Sequence, residues 1–230
     1  MKQQELLSDF NSIIDSKPKL LDLFCGAGGA SMGYYRAGFE VEGVDIKPQP
    51  HYPFKFYQAD ALEFPLEGYD AYHASPPCQK FSSSTLKKNR DKHPDLIQPI
   101  RERFMAMSKP YVIENVYKAP LNATLMLCGS MFDLDVIRHR FFETLPQILF
   151  PPCTCKHIRR VARQGYAPED AKHIWCITRS AARLEGASEA MGIDWMKRDA
   201  LQIAEAIPPA YTEYIGKYLM KVVMHLNIGN

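Results

Sequence analysis

Apolar runs alternate with amphipathic segments along most of the chain, and this alternation predicts an α/β fold. Short apolar runs with the length of buried strands lie at 20–24, 41–45, 55–58, 70–74 and 111–114. Helical periodicity predicts helices at about 30–37, at about 198–206 and from 208 or 209 to about 226. Strands that alternate with helices imply a mostly parallel twisted sheet with helices on both faces, the Rossmann-like arrangement.

Two regions depart from this alternation. Apolar positions in residues 3–15 fall on one helical face, which predicts an opening amphipathic helix that Lys17-Pro18 ends. From 145 to 182 the periodicity is lost among prolines and basic residues, so we predict a small irregular insertion there. Residues 1–144 and 183–230 would then form one domain, which is as much as 230 residues support.

Composition excludes few classes of protein. Hydrophobic residues make up 46% and charged residues 23%, with a formal net charge of +2, as in ordinary globular proteins. No apolar run approaches the ~20 residues that span a bilayer, and the first residues lack a signal-peptide apolar core. The six cysteines are too scattered for a disulfide framework. We therefore expect reduced thiols, no membrane association and a cytoplasmic location.

Acidic and glycine residues cluster where the first three predicted strands end, which is where ligands bind in parallel sheets. A glycine-rich turn at 26–29 follows the first strand, and Asp45 lies 19 residues after Gly26 at the end of the second. Ser31 stands where the dinucleotide pattern has glycine, so a ligand with a ribose and a cation, such as S-adenosylmethionine, suits the turn better than NAD. Asp22 would hold the turn or accept from an ammonium group. Asp60 would accept from an adenine amino group or cap a helix.

A thiol, a carboxyl group and two arginines follow farther along the chain. Cys78 comes after Ser75-Pro76-Pro77, Glu114 ends an apolar strand, and the arginines are Arg138 and Arg140. This set matches what methylation of cytosine C5 requires: a nucleophile for C6, a group that holds N3, and a cation at O2. The structural alternatives are a buried packing cysteine and a strand-end ion pair between Glu114 and an arginine.

The order of these motifs resembles the DNA (cytosine-5)-methyltransferases, especially the compact orphan members of phage genomes. The resemblance covers 19–143 and about 183–219. It implies a methyltransferase domain in which Cys78 is the nucleophile, Glu114 contacts N3 and N4, Arg140 contacts O2, and Arg138 supports it. The candidate residues for S-adenosylmethionine are Asp22, Phe24, Gly26, Gly28, Asp45, Ile46, Asp60, Ala61 and Pro77. The closing segment 207–211 resembles the family's final motif, whose helix packs beside the first.

Basic residues lie in a loop after Cys78 and in the insertion. The loop is predicted to be a lid that closes on DNA phosphates, with a plain solvated loop as the alternative. The insertion is predicted to be a small target-recognition element. The candidate DNA-binding residues are Gln79, Lys80, Ser82, Lys87, Lys88, Arg90, Arg159, Arg160 and Arg163. The expected partner is double-stranded DNA with a flipped cytosine, bound by a monomer.

Several alternatives stay open at this point. Cys153, Cys155, His157, His173 and Cys176 have the residue types of a zinc site, but their spacing is unusual and we expect no metal. Cys25 and Cys128 are predicted to be packing residues, and Trp195 an anchor for the final segment. The same chemistry on tRNA or single-stranded DNA, a non-catalytic S-adenosylmethionine-binding protein, and transfer of a modified group are the rival functions. Protection of a genome from restriction, and location in a bacterial or phage-infected cell, rest on the resemblance alone.

Overall fold

The computed structural model describes most of the predicted domain and only small parts of the insertion. The described residues are 17–83, 85–122, 125–147, 154–155, 157, 161–162, 174–175, 186–196 and 199–228. The predicted helix at 3–15 lies outside them, and so does most of 148–185.

Seven strands form one mixed sheet. In chain order they are β1 (Lys19–Leu23), β2 (Glu40–Asp45), β3 (Lys55–Gln58), β4 (Ala71–Ala74), β5 (Tyr111–Asn115), β6 (Leu125–Leu127) and β7 (Arg140–Leu145). Their order across the sheet is β3-β2-β1-β4-β5-β7-β6. Two further short strands, β8 (Val161–Ala162) and β9 (Ile174–Trp175), pair with each other in parallel.

The first five strands are parallel, and β7 is antiparallel to both of its neighbours. In register, Leu23 of β1 lies beside Val44 of β2 and Ala74 of β4. Asn115 at the end of β5 pairs with Phe141 near the start of β7. Because β7 runs the opposite way, its first residues reach the edge where the parallel strands end. The insertion was predicted to begin at 145, but Leu145 is the last residue of β7, so the sheet extends one residue further than expected.

Helices cover both faces of the sheet. They are α1 (Gly29–Arg36), α2 (Lys87–Arg90), α3 (Ile97–Met107), α4 (Ala187–Met191), α5 (Ala200–Glu205) and α6 (Pro209–Ile228). On one face Leu20 packs with Tyr34 of α1 and Ile215 of α6. On the other, Leu21 and Leu23 pack in the cluster that contains Phe104 of α3. Successive residues of β1 thus point into different cores, as the period of a strand requires.

The closest packing joins α1 to α6. Gly33 of α1 faces the backbone of Pro209 and the side chain of Thr212, and a Cβ atom at Gly33 would collide with both. Thr212 is fully buried and donates to the carbonyl oxygen of Ala30 at 2.8 Å. The final helix therefore packs directly beside the first, as the resemblance implied. Within the described residues, no helix combines the length and apolar character needed to cross a membrane.

Candidate active site

The ends of five neighbouring strands bring the predicted site residues to one edge of the sheet. After β1 the chain continues to β2 and β3 on one side, and it then returns to β4 and β5 on the other. The reversal falls between β1 and β4, which is where open α/β sheets bind their ligands. The glycine-rich turn after β1 and the Ser75–Cys78 loop after β4 flank this point. Asp45 and Asp60 lie to one side of it, and Glu114 lies to the other.

The turn after β1 has a backbone that glycine permits. Gly26 has φ 51° and Gly28 has φ 86°, both in the left-handed region. Phe24 adopts a similar φ of 59° despite its side chain, a conformation uncommon outside glycine and associated with functional sites. The N–H of Gly26 donates to Oδ2 of Asp45 at 3.1 Å, which fixes the turn against the end of β2. Trp195 donates to the carbonyl oxygen of Ala27 at 3.0 Å, so its predicted anchoring role is confirmed.

Asp22 lies in β1, inside the core, just before this turn. Its side chain is fully buried, and its Oδ2 accepts a hydrogen bond from Ser31, which in turn accepts one from Tyr52 at 2.9 Å. Burial raises the pKa of Asp22 to about 7, although the hydrogen bond from Ser31 opposes the shift. Asp22 hydrogen-bonds to Ser31 of α1, and its Oδ1 accepts no hydrogen bond from the described residues, so both roles that the sequence allowed stay predictions.

Beyond the turn, residues after β2 and β3 present a polar and an apolar group to the same edge. Asp45 is partly exposed, with one oxygen on Gly26 and the other accepting from the N–H of Lys47 at 2.9 Å. Ile46, beside it, is 64% exposed and offers an uncovered apolar surface. Asp60 is exposed and caps a turn through the N–H of Leu62 at 2.8 Å; a turn, not the alternative helix, follows it. Ala61 is buried and packs beneath this surface.

The Cys78 loop is fastened to the neighbouring strand by Asn115. The buried side-chain amide of Asn115 donates to the carbonyl oxygen of Pro76 at 2.8 Å, two residues before the thiol. Pro77 is exposed and Cys78 is partly exposed, so Cys78 is not a core packing residue. Burial raises the pKa of the Cys78 thiol and Glu114 adds to this, while Arg140 and Arg138 oppose it. The thiol is therefore predominantly protonated at neutral pH.

Glu114 lies at the end of β5 as a buried carboxyl group beside a guanidinium. Its Oε1 is 2.9 Å from Nε of Arg140, and their side chains are 7% and 17% exposed. Among the described residues Oε1 accepts no hydrogen bond, since the Nε–H of Arg140 is not aligned with it. Burial raises the pKa of Glu114, with Arg140 and Arg138 opposing the shift. The ion-pair alternative is thus present, and it leaves a hydrogen-bonding position of the carboxyl group for a ligand.

Arg138 has a different environment from Arg140. It is 5% exposed, and its Nη2 donates to the carbonyl oxygen of Ala204 at 2.7 Å. Burial lowers the pKa of Arg138 to about 9, with Arg140 contributing in the same direction. Tyr211 of α6 donates to the Arg138 carbonyl oxygen at 2.6 Å. Arg138 therefore links residues 138–140, the arginine segment, to α5 and α6, the closing helices. This agrees with a supporting role.

A line of buried polar groups runs behind Glu114. Tyr34 and Ser75 hydrogen-bond opposite ring nitrogens of His73, at 2.9 Å to Nδ1 and 2.8 Å to Nε2. A hydrogen bond from Ser75 also acts to lower the pKa of Glu114. Burial lowers the pKa of His73 to about 3, so this imidazole stays neutral. Sequence reasoning missed these roles of Asn115, Ser75 and His73. The bonds that join Asn115 to Pro76 and Tyr34 to His73 each span 39 positions, and the contact between His73 and Ser75, two positions apart, depends on the local loop geometry.

The predicted lid residues lie around the loop that follows Cys78. Gln79, Lys80 and Ser82 are partly exposed, and Oε1 of Gln79 accepts no hydrogen bond from the described residues. Lys87 and Lys88 are exposed on the short helix α2. Arg90 ends that helix and donates to the carbonyl oxygen of Thr85 at 3.3 Å. The remaining candidates, Arg159, Arg160 and Arg163, lie outside the described residues.

Comparison with known proteins defines the class of fold. No family model matches the chain. The chain is 26% identical over 231 aligned positions to the type II methyltransferase M.AplI of Arthrospira platensis, and it spans 62% of that protein's length. An E. coli prophage protein described as a DNA modification methyltransferase has a TM-score of 0.61 at 15% identity, with 93% of this chain and 100% of the other covered.

Two eukaryotic structures have similar scores. DNMT2 of Spodoptera frugiperda, solved as a mutant, has a TM-score of 0.59 at 15% identity over 88% of this chain and 99% of the other. The Entamoeba histolytica methyltransferase EhMeth has a TM-score of 0.60 at 12% identity over 91% of this chain and 99% of the other. Together with the strand order, these likenesses confirm the predicted fold class, the Rossmann-like methyltransferase fold.

Proposed function

We propose that this chain transfers a methyl group from S-adenosylmethionine to C5 of cytosine in DNA. The observation that carries the proposal is the common placement of Cys78, Glu114 and Arg140. Asn115, the residue after Glu114, donates to the carbonyl oxygen of Pro76, two residues before Cys78, and Glu114 is in direct ion contact with Arg140. A cysteine that attacked a substrate already reactive enough would not require a buried carboxyl group beside it. Attack on a pyrimidine ring requires both the thiol and a group that activates the ring.

The residues at the β1–β3 end fit the proposed cofactor by their chemistry. Asp45 retains lone pairs for two ribose hydroxyls, and the exposed side chain of Ile46 offers a face for an adenine ring. Asp60 supplies an acceptor beyond it. The left-handed glycines at 26 and 28 allow a ligand to approach the backbone closely. When bound, S-adenosylmethionine supplies an electrophilic methyl group.

The chain's own residues would activate the base. Sulfur of Cys78 attacks C6, and Glu114 hydrogen-bonds N3 and the N4 amino group while electron density moves from C6 into the ring. Arg140 holds O2 and stabilises the charge that develops there. After C5 has been methylated, its proton passes to water and the C–H electron pair expels the Cys78 sulfur from C6 as a thiolate. The proton shared with N3 returns to Glu114, and the ring is aromatic again.

The thiol and the carboxyl group can exchange a single proton during this sequence. Burial raises the pKa of both groups. Because a carboxyl group is ordinarily a much stronger acid than a thiol, a resting pair with one proton holds it mainly on Cys78 and leaves Glu114 as a carboxylate. The reactive form, a thiolate beside a protonated Glu114, contains the same number of protons. Activation therefore requires proton redistribution within the pair and no net uptake from solvent.

The DNA would bind across the lid and the insertion. Lys80, Lys87 and Lys88 are positioned on the loop that leads away from the nucleophile, where they can contact phosphates next to an extruded base. Residues 146–182 would form the element that selects the target sequence, and 1–145 with 183–230 would form the catalytic domain. M.AplI is described as a type II methyltransferase and the E. coli prophage protein as a DNA modification methyltransferase, and the second description favours DNA as the substrate.

Bisulfite sequencing tests the proposal directly. DNA from cells that express this chain should contain 5-methylcytosine in a short recurrent context, and DNA from cells that express Cys78→Ala should not. Incubating the purified protein with labelled S-adenosylmethionine and duplex DNA, single-stranded DNA or tRNA identifies the acceptor. Labelling of tRNA alone, or of no cytosine in any of the three, would contradict the proposal.

Asp45→Asn should weaken S-adenosylmethionine binding by roughly 10- to 100-fold, because ribose hydroxyls lose a charged acceptor. Isothermal titration of the variant measures the change in Kd. Asp70→Asn is the matched control, since Asp70 accepts from the N–H of Lys19 at the opposite edge of the sheet. An unchanged Kd in Asp45→Asn would place the ribose elsewhere.

A further inference from the structure

Four metal-ligating side chains converge beside the arginine segment, outside the reaction site proposed above. They are Cys128, His139, Cys155 and His157, and one ligand atom from each lies within 4.8 Å of all the others. Cys128 directly follows β6 and His139 directly precedes β7. Since β6 and β7 are antiparallel neighbours, with Leu127 paired to Arg140, these two residues meet at the sheet edge. Cys155 and His157 approach them from the chain that follows β7.

Two separations within the cluster match the edges of a tetrahedral metal site. Sγ of Cys128 is 3.3 Å from Nε2 of His157, and Sγ of Cys155 is 3.7 Å from Nε2 of His139. With bonds of about 2.3 Å to sulfur and 2.0–2.1 Å to nitrogen, a tetrahedral Zn²⁺ separates its ligands by roughly 3.3–3.8 Å. The two imidazole rings are inclined at 60° with centroids 5.0 Å apart, so they can direct their nitrogens toward a common centre.

We propose that these four residues form a Cys₂His₂ site for a structural zinc ion. Two thiolates and two imidazoles are a ligand set that selects Zn²⁺ over Mg²⁺ or Ca²⁺. Four protein ligands complete a tetrahedron and leave no position for a substrate, which distinguishes a structural from a catalytic ion. Cys128 is fully buried, whereas His157 is exposed, so the ion would lie near the surface with one side closed by the sheet.

The zinc alternative that the sequence allowed used a different set. It grouped Cys155 and His157 with Cys153, His173 and Cys176, all from the insertion, and it treated Cys128 as a packing residue. Cys153, His173 and Cys176 lie outside the described residues. The missing pair comes from the ends of β6 and β7, and its 11-residue spacing has no recognisable motif. Only the antiparallel pairing of these strands brings Cys128 and His139 together.

The location gives the ion a mechanical role. His139 lies between Arg138 and Arg140, and Nη1 of Arg140 donates to the His139 carbonyl oxygen at 3.0 Å. Zinc at His139 would thus join the segment containing Cys155 and His157 to the start of β7. His139 is the residue before Arg140, whose guanidinium contacts Glu114. The ion would fix the beginning of the insertion relative to the sheet, as zinc does where a small element cannot bury enough surface to fold by itself.

Metal content of the full chain tests the proposal. The protein is expressed with added zinc, purified under reducing conditions, and analysed by inductively coupled plasma mass spectrometry, with about one Zn²⁺ per chain expected. Cys155→Ser and His157→Gln, which change partly exposed and exposed residues, should each lower bound zinc at least about 10-fold after dialysis. Cobalt substitution should give the visible absorption of tetrahedral Co²⁺ with thiolate ligands, and this absorption should be lost in the same variants.

Matched controls separate this site from its alternatives. Cys153→Ser, two residues from Cys155, and Cys176→Ser should keep the zinc, and so should Cys78→Ser in the proposed active site. Zinc that persists in both Cys155→Ser and His157→Gln, or that is lost equally in Cys153→Ser, would overturn the assignment. So would a chain that binds no zinc when titrated in the reduced state. Alkylation that finds Cys128 and Cys155 joined in a disulfide in the reduced-state preparation would also overturn it.

Discussion

Cys78→Ala should abolish methyl transfer while S-adenosylmethionine still binds. Removing a covalent nucleophile from an enzyme that depends on it costs several orders of magnitude, and we expect a loss of roughly 10⁴-fold or more in kcat. The cofactor residues lie at the ends of β1, β2 and β3, and Cys78 lies beyond β4, so the Kd for the cofactor should change less than about threefold. Single-turnover transfer to duplex DNA and isothermal titration give the two quantities.

A covalent complex provides the decisive comparison. DNA that contains 5-fluorocytosine in the target context should trap the wild-type chain as an adduct, because fluorine at C5 cannot leave as a proton does. The Cys78→Ala chain should form no adduct, and its thermal unfolding should match that of the wild type, since Cys78 is not part of the core. Transfer by the variant at a wild-type rate would rule out the thiol mechanism.

The parallel half of the sheet was predictable from sequence because β1, β2, β4 and β5 are short and almost entirely buried, and β3 is a short, partly exposed edge strand next to them. The prediction for 55–58 matches β3, and those for 41–45 and 70–74 differ from β2 and β4 by one residue at the start. The carboxyl groups at the strand ends could be grouped because parallel strands end at a common edge. Thus Asp45, Asp60, Cys78 and Glu114 could be placed together without coordinates.

The antiparallel half was not predictable in the same way. β6 has three residues, and β7 contains the charged Glu143 at a buried position. Arg101 of α3 forms a buried ion pair with Glu143, with 2.7 Å between Nη2 and Oε2. The pair allows a charged residue at a buried strand position, where a hydrophobic pattern would require an apolar one. Helix α3 itself was not predicted, although it covers one face of the sheet. Without the pairing of β5 with β7, the sequence indicates only that Glu114 and Arg140 are chemically suited to act together. It does not show that they are in contact.

Long-range hydrogen bonds are the other part that sequence could not supply. The bond from Asn115 to Pro76 spans 39 positions, and the bond from Tyr211 to Arg138 spans 73. Each bond joins a side chain to a backbone carbonyl oxygen. Every residue has such an oxygen, so the residue type does not reveal which one is the acceptor. Such contacts fix the loop around Cys78 and the segment around Arg140, which is why the site depends on the closing helices as well as on the sheet.

Glu114→Gln should lower kcat/KM by roughly 10²- to 10⁴-fold near neutral pH, because glutamine can hydrogen-bond N3 but cannot protonate it. The pH dependence should change as well. In the wild type, a rise in pH increases the Cys78 thiolate and, above the raised pKa of Glu114, decreases protonated Glu114 by the same factor. The wild-type profile should therefore rise to the pKa of Glu114 and then stay level until the pKa of Cys78.

In Glu114→Gln only the thiol titrates, so kcat/KM should increase about tenfold per pH unit up to the raised pKa of Cys78. The ratio of wild-type to variant activity should consequently fall as pH rises. Glu143→Gln is the matched control: it breaks the buried pair with Arg101 and should lower Tm, but its pH profile should keep the wild-type shape. Parallel profiles for the wild type and Glu114→Gln would mean that no proton passes between Cys78 and Glu114. The base would then be activated without an acid at position 114.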